Sequence, residues 1–201
     1  MPASASEAEV VRTAMRQLLE SLVKLHSAGI VHRDVKPQNI VTSEAEQRLK
    51  LIDLGGAAVC GKGGPVSYSA GAGAGDPAFS SVMDPTLLPP GAPEPTARNL
   101  GKLWREHTPD RHDVFSAGIT MLWLAVPALR KNGATQRFVD ELAEYDNDLA
   151  AWAGERCEWR EHERAVLDAD DQAGWLAAAA MLAPRPQRVS AAEALRHPFF
   201  V

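Results

Sequence analysis

Gly29-Ile30-Val31-His32-Arg33-Asp34-Val35-Lys36-Pro37-Gln38-Asn39-Ile40-Val41, followed closely by Leu51-Ile52-Asp53-Leu54-Gly55, is the stretch that decides how this 201-residue chain is read. Ile30-Val31, Ile40-Val41 and Leu49-Lys50-Leu51-Ile52 predict short strands, and the polar residues between them sit on a presenting loop. Within about twenty positions the stretch collects a carboxylate, an amine, a carboxamide and a second carboxylate. Phosphoryl transfer asks for that set: a group to orient the incoming hydroxyl, a cation to meet the phosphate, and hard oxygen ligands for Mg²⁺. Asp34 and Lys36 are therefore the catalytic candidates, with Lys36 projecting to the same side of an extended loop as Asp34. Asn39 and Asp53 are the candidate metal ligands, and Lys36, Asn39 and Asp53 together would hold a phosphate-bearing cofactor and its Mg²⁺.

Composition narrows the alternatives. Apolar residues make up 45% of the chain, enough for a real core, and 21 Lys and Arg against 26 Asp and Glu leave a formal net charge of -5. That balance gives no reason to expect nucleic acid or an anionic membrane as the main partner. Cys60 and Cys157 lie far apart and lack a second Cys or a paired His at metal-ligand spacing, so neither a zinc site nor a disulfide framework is indicated. No apolar run is long enough to cross a bilayer, Ala117 to Leu129 being interrupted by Thr120 and Pro127. Glu7 and Glu9 follow the small polar residues Met1 to Ser6 at once, which argues against a signal or transit peptide.

Working outward, Ser6 with Glu7 and Glu9 reads as a helix entrance, and Val10, Val11, Ala14, Leu18, Leu22 and Leu25 carry helical spacing over about 7–28, stopped by Gly29. Most of the 15 glycines fall between Gly55 and Pro95, with clusters at Gly61-Lys62-Gly63-Gly64 and Gly71-Ala72-Gly73-Ala74-Gly75. No regular element is expected there, and the segment is expected to be mobile unless pinned. Val114 to Leu124 is apolar nearly all round, which predicts a buried helix over about 112–126. Amphipathic helices follow over Thr135 to Glu144, Leu149 to Arg156 and Ala173 to Leu182, and Ser190-Ala191-Ala192-Glu193 is a capping box opening the last one. The fold class is thus mainly α with short β-hairpins, as one unit over 1–201.

His32-Arg33-Asp34-Val35-Lys36-Pro37-Gln38-Asn39 resembles the catalytic loop of eukaryotic protein kinases, and Asp53-Leu54-Gly55 resembles their metal-binding Asp-Phe-Gly, with Leu54 keeping an apolar plug in place of Phe. The Lys two residues after the Asp implies Ser/Thr rather than Tyr specificity. Asp113-Val114-Phe115-Ser116-Ala117-Gly118 looks like the start of the buried central helix of the large lobe, and Arg188 to Phe200 looks like its closing helix (187–201). By that resemblance His32, Asp113 and Arg188 are structural supports, and Arg33 reads a phosphate on the activation segment (53–95), where Ser67, Tyr68, Ser69, Ser80, Ser81 and Thr86 are candidates. Arg188 is expected to pair with Glu94 of Ala92-Pro93-Glu94 or to find no partner, because the alternative register, Leu88-Pro89-Pro90-Gly91, lacks the Glu.

Within that family the segments Leu51 to Ala58, Asp84-Pro85, Asp110 to Gly118, Ala125 to Arg130 and Tyr145 to Trp152 are similar to the chloroplast thylakoid kinases of state transitions. The resemblance implies protein substrates among antenna and photosystem subunits and a chloroplast location, a cytoplasmic one being the alternative. It also implies a second, β-rich lobe carrying a Gly-rich loop and a strand lysine over the nucleotide. Only about thirty residues precede the catalytic loop, and they read as one helix. The chain is therefore expected to be a C-terminal lobe without that N-terminal lobe, with the apolar face of its first helix and the strands around Ile30 and Leu51 left bare. The competing expectation is a non-catalytic remnant that acts as a protein-binding module.

Overall fold

In the computed structural model, which describes residues 5–60, 67–69 and 75–201, Ser6 opens α1 (Glu7–Ser27) with a capping box. Its hydroxyl accepts from the Glu9 N–H while the Glu9 carboxylate accepts from the Ser6 N–H. The helix ends at Ala28, and Gly29 takes the left-handed conformation at φ 72° that lets the chain turn back into β1 (Ile30–Val31). Val11, Met15, Leu18, Leu19 and Leu22 form the buried stripe of α1, each contributing roughly 2 kcal/mol of burial.

The centre of the molecule is α3 (Arg111–Ala125). Twelve of its fifteen residues are buried, as a helix apolar on every face must be. Its two buried hydroxyls are satisfied within the helix, Ser116 Oγ by the His112 carbonyl and Thr120 Oγ1 by the Ser116 carbonyl. Gly118 lets α6 (Glu161–Leu182) come close: a Cβ there would stand 2.9 Å from Leu182 Cδ2 and 3.1 Å from Met181 Cβ. Around α3 and α6 pack α1, α5 (Leu149–Arg156) and the short α7 (Ala191–Ala194), whose Ser190 cap repeats the arrangement at Ser6, while α4 (Ala134–Glu144) packs on α5 and on the turns Pro77–Phe79 and Pro127–Arg130. A row of rings closes the far side, Phe138 edge-on to Trp152 at 4.8 Å, Trp152 to Trp159 at 5.0 Å, and Trp159 stacked on Trp175 at 5.7 Å.

The described strands form two antiparallel ribbons. β1 pairs with β4 (Ala58–Val59), and β2 (Ile40–Ser43) pairs with β3 (Arg48–Leu51) with Ile40 opposite Leu51. Three expectations need correction. The apolar face of α1 is covered by α3, α6, α7 and β3 except at the exposed Val10, and Ile30 and Leu51 are half-buried; the exposed large apolar residues at the strand end are Val41, Ile52 and Leu54. Regular structure does survive in the Gly-rich segment, as β4 and the 3-10 turns Leu54–Gly56 and Pro77–Phe79, because β1 supplies hydrogen bonds to β4 whatever the local glycine content. Gly61-Lys62-Gly63-Gly64 and residues 71–74, where mobility was expected, lie outside the described residues.

The third correction concerns helices. α2 (Leu100–His107) has only Leu100, Leu103 and Trp104 as an apolar stripe, too little to stand out by periodicity. It is held by a second small core of Val31, Ala58, Cys60, Tyr68, Leu87 and Leu88. α6 begins at Glu161 rather than Ala173 and is broken at Ala169 to Gln172, where Asp170, Asp171 and Gln172 adopt φ of 51°, 55° and 64°. Asp tolerates that left-handed region better than most residues, so Asp-Asp-Gln marks a break between two helical pieces.

His112, wholly buried in the first turn of α3, has no hydrogen-bond partner on either ring nitrogen among the described residues. Burial pushes its pKa down from 6.5 to about 4. Because the folded-state value lies below the unfolded one, its stability contribution is complete above pH 6.5 and is lost as pH falls towards 4. Urea titrations should show that loss, up to about 3 kcal/mol for this one group, and His112→Phe should remove it; an equally steep acid loss in the variant would assign it to other groups.

Candidate active site

A buried carboxylate shapes the catalytic loop. Asp113, in the first turn of α3, accepts from the His32 N–H at 2.7 Å and from His26 Nε2 at 2.9 Å through Oδ2, and from the Arg33 N–H at 2.8 Å through Oδ1. Burial disfavours its charge, yet His26, His112 and the loop amides outweigh it and hold its pKa below the ordinary carboxylate value. These bonds stabilise Arg33 at φ 72°, a left-handed conformation that costs a non-glycine residue about 1–2 kcal/mol. The turn at Arg33 aims the next residue, Asp34, into the site.

His32 uses both ring nitrogens within the protein. Its Nδ1 faces the Asp34 N–H at 3.3 Å, so Nε2, 2.9 Å from the Ile52 carbonyl, is the nitrogen that carries the hydrogen. The ring thus ties the loop to the residue just before Asp53. Asn39 completes the loop from the turn Pro37–Asn39, its Nδ2 donating at 2.8 Å both to the Asp34 carbonyl and to Asp34 Oδ2. The other carboxylate oxygen, Asp34 Oδ1, is shut off from water and stands 3.0 Å from Lys36 Nζ. A residue that the motifs did not mark joins them: Asp76 Oδ2 is 3.3 Å from the same Nζ. Burial opposes the charge on Lys36, but Asp34 and then Asp76 overcome it, so the amine's pKa is raised.

Asn39 and Asp53 are neighbours across the second ribbon, since the Ile52 N–H donates to the Asn39 carbonyl at 2.9 Å. Asp53 stands at φ 65° and caps the turn Leu54–Gly56, its Oδ1 accepting from the Gly55 N–H at 3.2 Å. With the Asn39 amide nitrogen spent on Asp34, the Asn39 Oδ1 and the Asp53 Oδ2 accept no bond from the described residues. One neutral and one anionic oxygen suit Mg²⁺, which keeps waters and shares its shell with substrate phosphates. No cluster of three or more His, Cys, Asp or Glu at metal-binding distance occurs among the described residues.

Arg33 Nη1 donates to the Gly56 carbonyl at 3.0 Å. Of the hydroxyls considered for modification, Ser80 and Ser81 are buried, Ser80 Oγ donating to the Asp76 carbonyl and Ser81 Oγ accepting from Asn147 Nδ2 at 3.2 Å. Ser67 Oγ accepts from the Val59 N–H, Thr86 Oγ1 donates to the Leu88 carbonyl, and Tyr68 is buried beside Cys60. Asn147, in the turn between α4 and α5, was missed because nothing in its local sequence points to a partner 66 residues away.

Arg188 pairs with Asp84, which corrects the expectation of Glu94 or no partner. Its guanidinium, with a fully buried side chain, lies 3.2 Å from Asp84 Oδ2, donates to the Ala183 and Arg111 carbonyls, and stacks 4.9 Å over Phe115. Arg185 grips the same segment from Nε to Asp84 Oδ2 at 2.6 Å and from its terminal nitrogens to the Asp84, Thr86 and Leu87 carbonyls. The two cations hold the Asp84 pKa down against burial. Gly91 occupies the position where the matched register lacks its Glu, and Asp84, seven residues earlier, supplies the carboxylate instead.

Residues 3–200 match the family described as protein kinase domain. The chain is 38% identical over 204 residues to the chloroplastic serine/threonine-protein kinase STN7 of Arabidopsis thaliana, covering 96% of this chain and 36% of that one. It is 38% identical over 200 residues to the chloroplastic STN8 of the same organism, covering 96% and 39%. The fold matches a crystal structure of an Stt7 homolog from Micromonas algae soaked with ATP, with a TM-score of 0.90 and 43% identity, over 99% of this chain and 59% of that chain. The chain therefore spans less than half the length of the curated relatives it matches. No helix among the described residues is long and apolar enough to cross a membrane.

The Asp84 anchor is testable by itself. Asp84→Ala leaves the buried Arg188 and the Arg185 fork without their counter-charge, and should cost about 3–5 kcal/mol in chemical denaturation; a loss below about 1 kcal/mol would show that the carbonyl contacts suffice.

Proposed function

The chain belongs to the protein kinase domain family, and on that premise we propose that it supplies the catalytic loop for transfer of the ATP γ-phosphate to a serine or threonine hydroxyl of a protein. The observation that carries this reading is the Asp34 carboxylate held between Asn39 Nδ2 at 2.8 Å and Lys36 Nζ at 3.0 Å. Asp34 orients the acceptor hydroxyl and takes its proton. Lys36 places a cation where negative charge gathers on the transferred group, and Asn39 and Asp53 hold Mg²⁺ through their open oxygens. Mg²⁺, when bound, neutralises phosphate charge. Arg33 is proposed as a reader of a phosphate on the activation segment, although the buried Ser80 and Ser81 would have to emerge before either could carry one.

The same resemblance supports a finer reading, in which the substrates are antenna or photosystem proteins of the thylakoid and the protein resides in the chloroplast. Two chloroplastic kinases at 38% identity support it, together with the Tyr145 to Trp152 segment, whose Asn147 reaches the activation segment at Ser81.

The test is titration of Mg²⁺-ATP into the purified chain, followed by transfer of radiolabelled phosphate to a threonine peptide. Asp34→Asn should lower the transfer rate at least 100-fold with little change in ATP affinity, since a general base contributes about 10²–10⁴. Lys36→Met should weaken ATP binding and transfer together. ATP binding with no transfer by the wild-type chain would favour the protein-binding module instead.

A further inference from the structure

Asp76 lies forty residues from Lys36 and outside both motifs, yet its carboxylate is built into the site. Its Oδ1 accepts from the Ala78 N–H at 3.0 Å, and its carbonyl accepts from Ser80 Oγ at 2.8 Å and the Phe79 N–H at 3.1 Å. Phe79 is buried in the main core with Val35, so the turn Pro77–Phe79 is anchored rather than draped over the surface. On the other side the Gly75 N–H donates to the Arg33 carbonyl at 3.1 Å, and Gly75 lies so close to the base that an added Cβ would stand 2.6 Å from Asp34 Oδ1. Oδ2 of Asp76 is left to face Lys36 Nζ.

One ammonium is therefore shared by two carboxylates, at 3.0 and 3.3 Å, and the side chains of Lys36, Asp34 and Asp76 are 20%, 19% and 32% exposed. An incoming phosphate needs that ammonium and is repelled by the second carboxylate. Taking the phosphoryl-transfer reading as its basis, we propose that Asp76 is a positioning residue that parks Lys36 beside Asp34 while the site is empty and competes with the terminal phosphate of the nucleotide for it. Asp34 has a reason to touch Lys36 at all times. Asp76 has one only until phosphate arrives.

The experiment is a double-mutant cycle on the full chain, read as Mg²⁺-ATP affinity by calorimetry. Asp76→Asn keeps an oxygen for the Ala78 N–H, so the turn survives, and it should tighten ATP binding about threefold, the scale of a partly exposed ion pair. Asp76→Glu restores the charge and should return wild-type affinity. Lys36→Met should weaken binding and erase the effect of Asp76→Asn, which a merely structural role for Asp76 would not predict. Unchanged or weaker binding in Asp76→Asn overturns the inference, as does a tightening that persists without Lys36, since that would be a general effect of removing negative charge. If Lys36→Met leaves ATP affinity untouched, the phosphoryl-transfer reading fails, and the inference fails with it.

Discussion

Three bonds to one buried carboxylate organise the site. Asp113 sits where a helix begins, in the field of the unpaired amides of α3, and receives the two successive backbone N–H groups of His32 and Arg33 together with the His26 ring. A peptide turn of that kind cannot be held by apolar packing, which is non-directional. Directional, charge-assisted bonds can hold it, each contributing about 1.5–3 kcal/mol. The loop therefore owes its shape to the most buried helix of the molecule, and α3 owes its own position to the packing of α1 and α6 on its flanks.

The activation segment is held by a different logic. Its later part is clamped by Arg185 and Arg188 on Asp84, a pair of cations on one carboxylate, and its middle by Phe79 in the core and by Gly75 against the catalytic loop. Between these anchors Ser81 meets Asn147 from the turn between α4 and α5. Peripheral helices are thus mechanically connected to the strap that borders Asp34. The left-handed turn at Asp146 and Asn147 presents the Asn147 amide to Ser81.

Much of this was legible in the sequence where a residue's role is local. Ser6 and Glu9 announce α1, the all-round apolar run of α3 announces burial, and Asp34, Lys36, Asn39 and Asp53, picked out by their spacing, meet around one loop and the turn that follows it. What escaped was long-range. Asp76 shows no local signature because its partner is forty residues away, and the Asp84 anchor was hidden by a nearer-looking Glu94. α2 escaped because three apolar residues make too thin a stripe, and β4 because its hydrogen bonds come from Ile30 and Val31. Sequence periodicity reports which face of an element is buried. It is silent on which charge will find which.

The row of rings from Phe138 through Trp152 and Trp159 to Trp175 joins α4, α5 and α6. Three of the five indoles stand in this row, Trp152 5.0 Å from Trp159 and Trp159 5.7 Å from Trp175. A change in the packing of α4, α5 or α6 therefore alters the surroundings of these indoles. Intrinsic fluorescence of this protein will therefore be weighted towards the register of its outer helices, so an optical signal can stay constant while the catalytic loop rearranges, and change when only the periphery loosens.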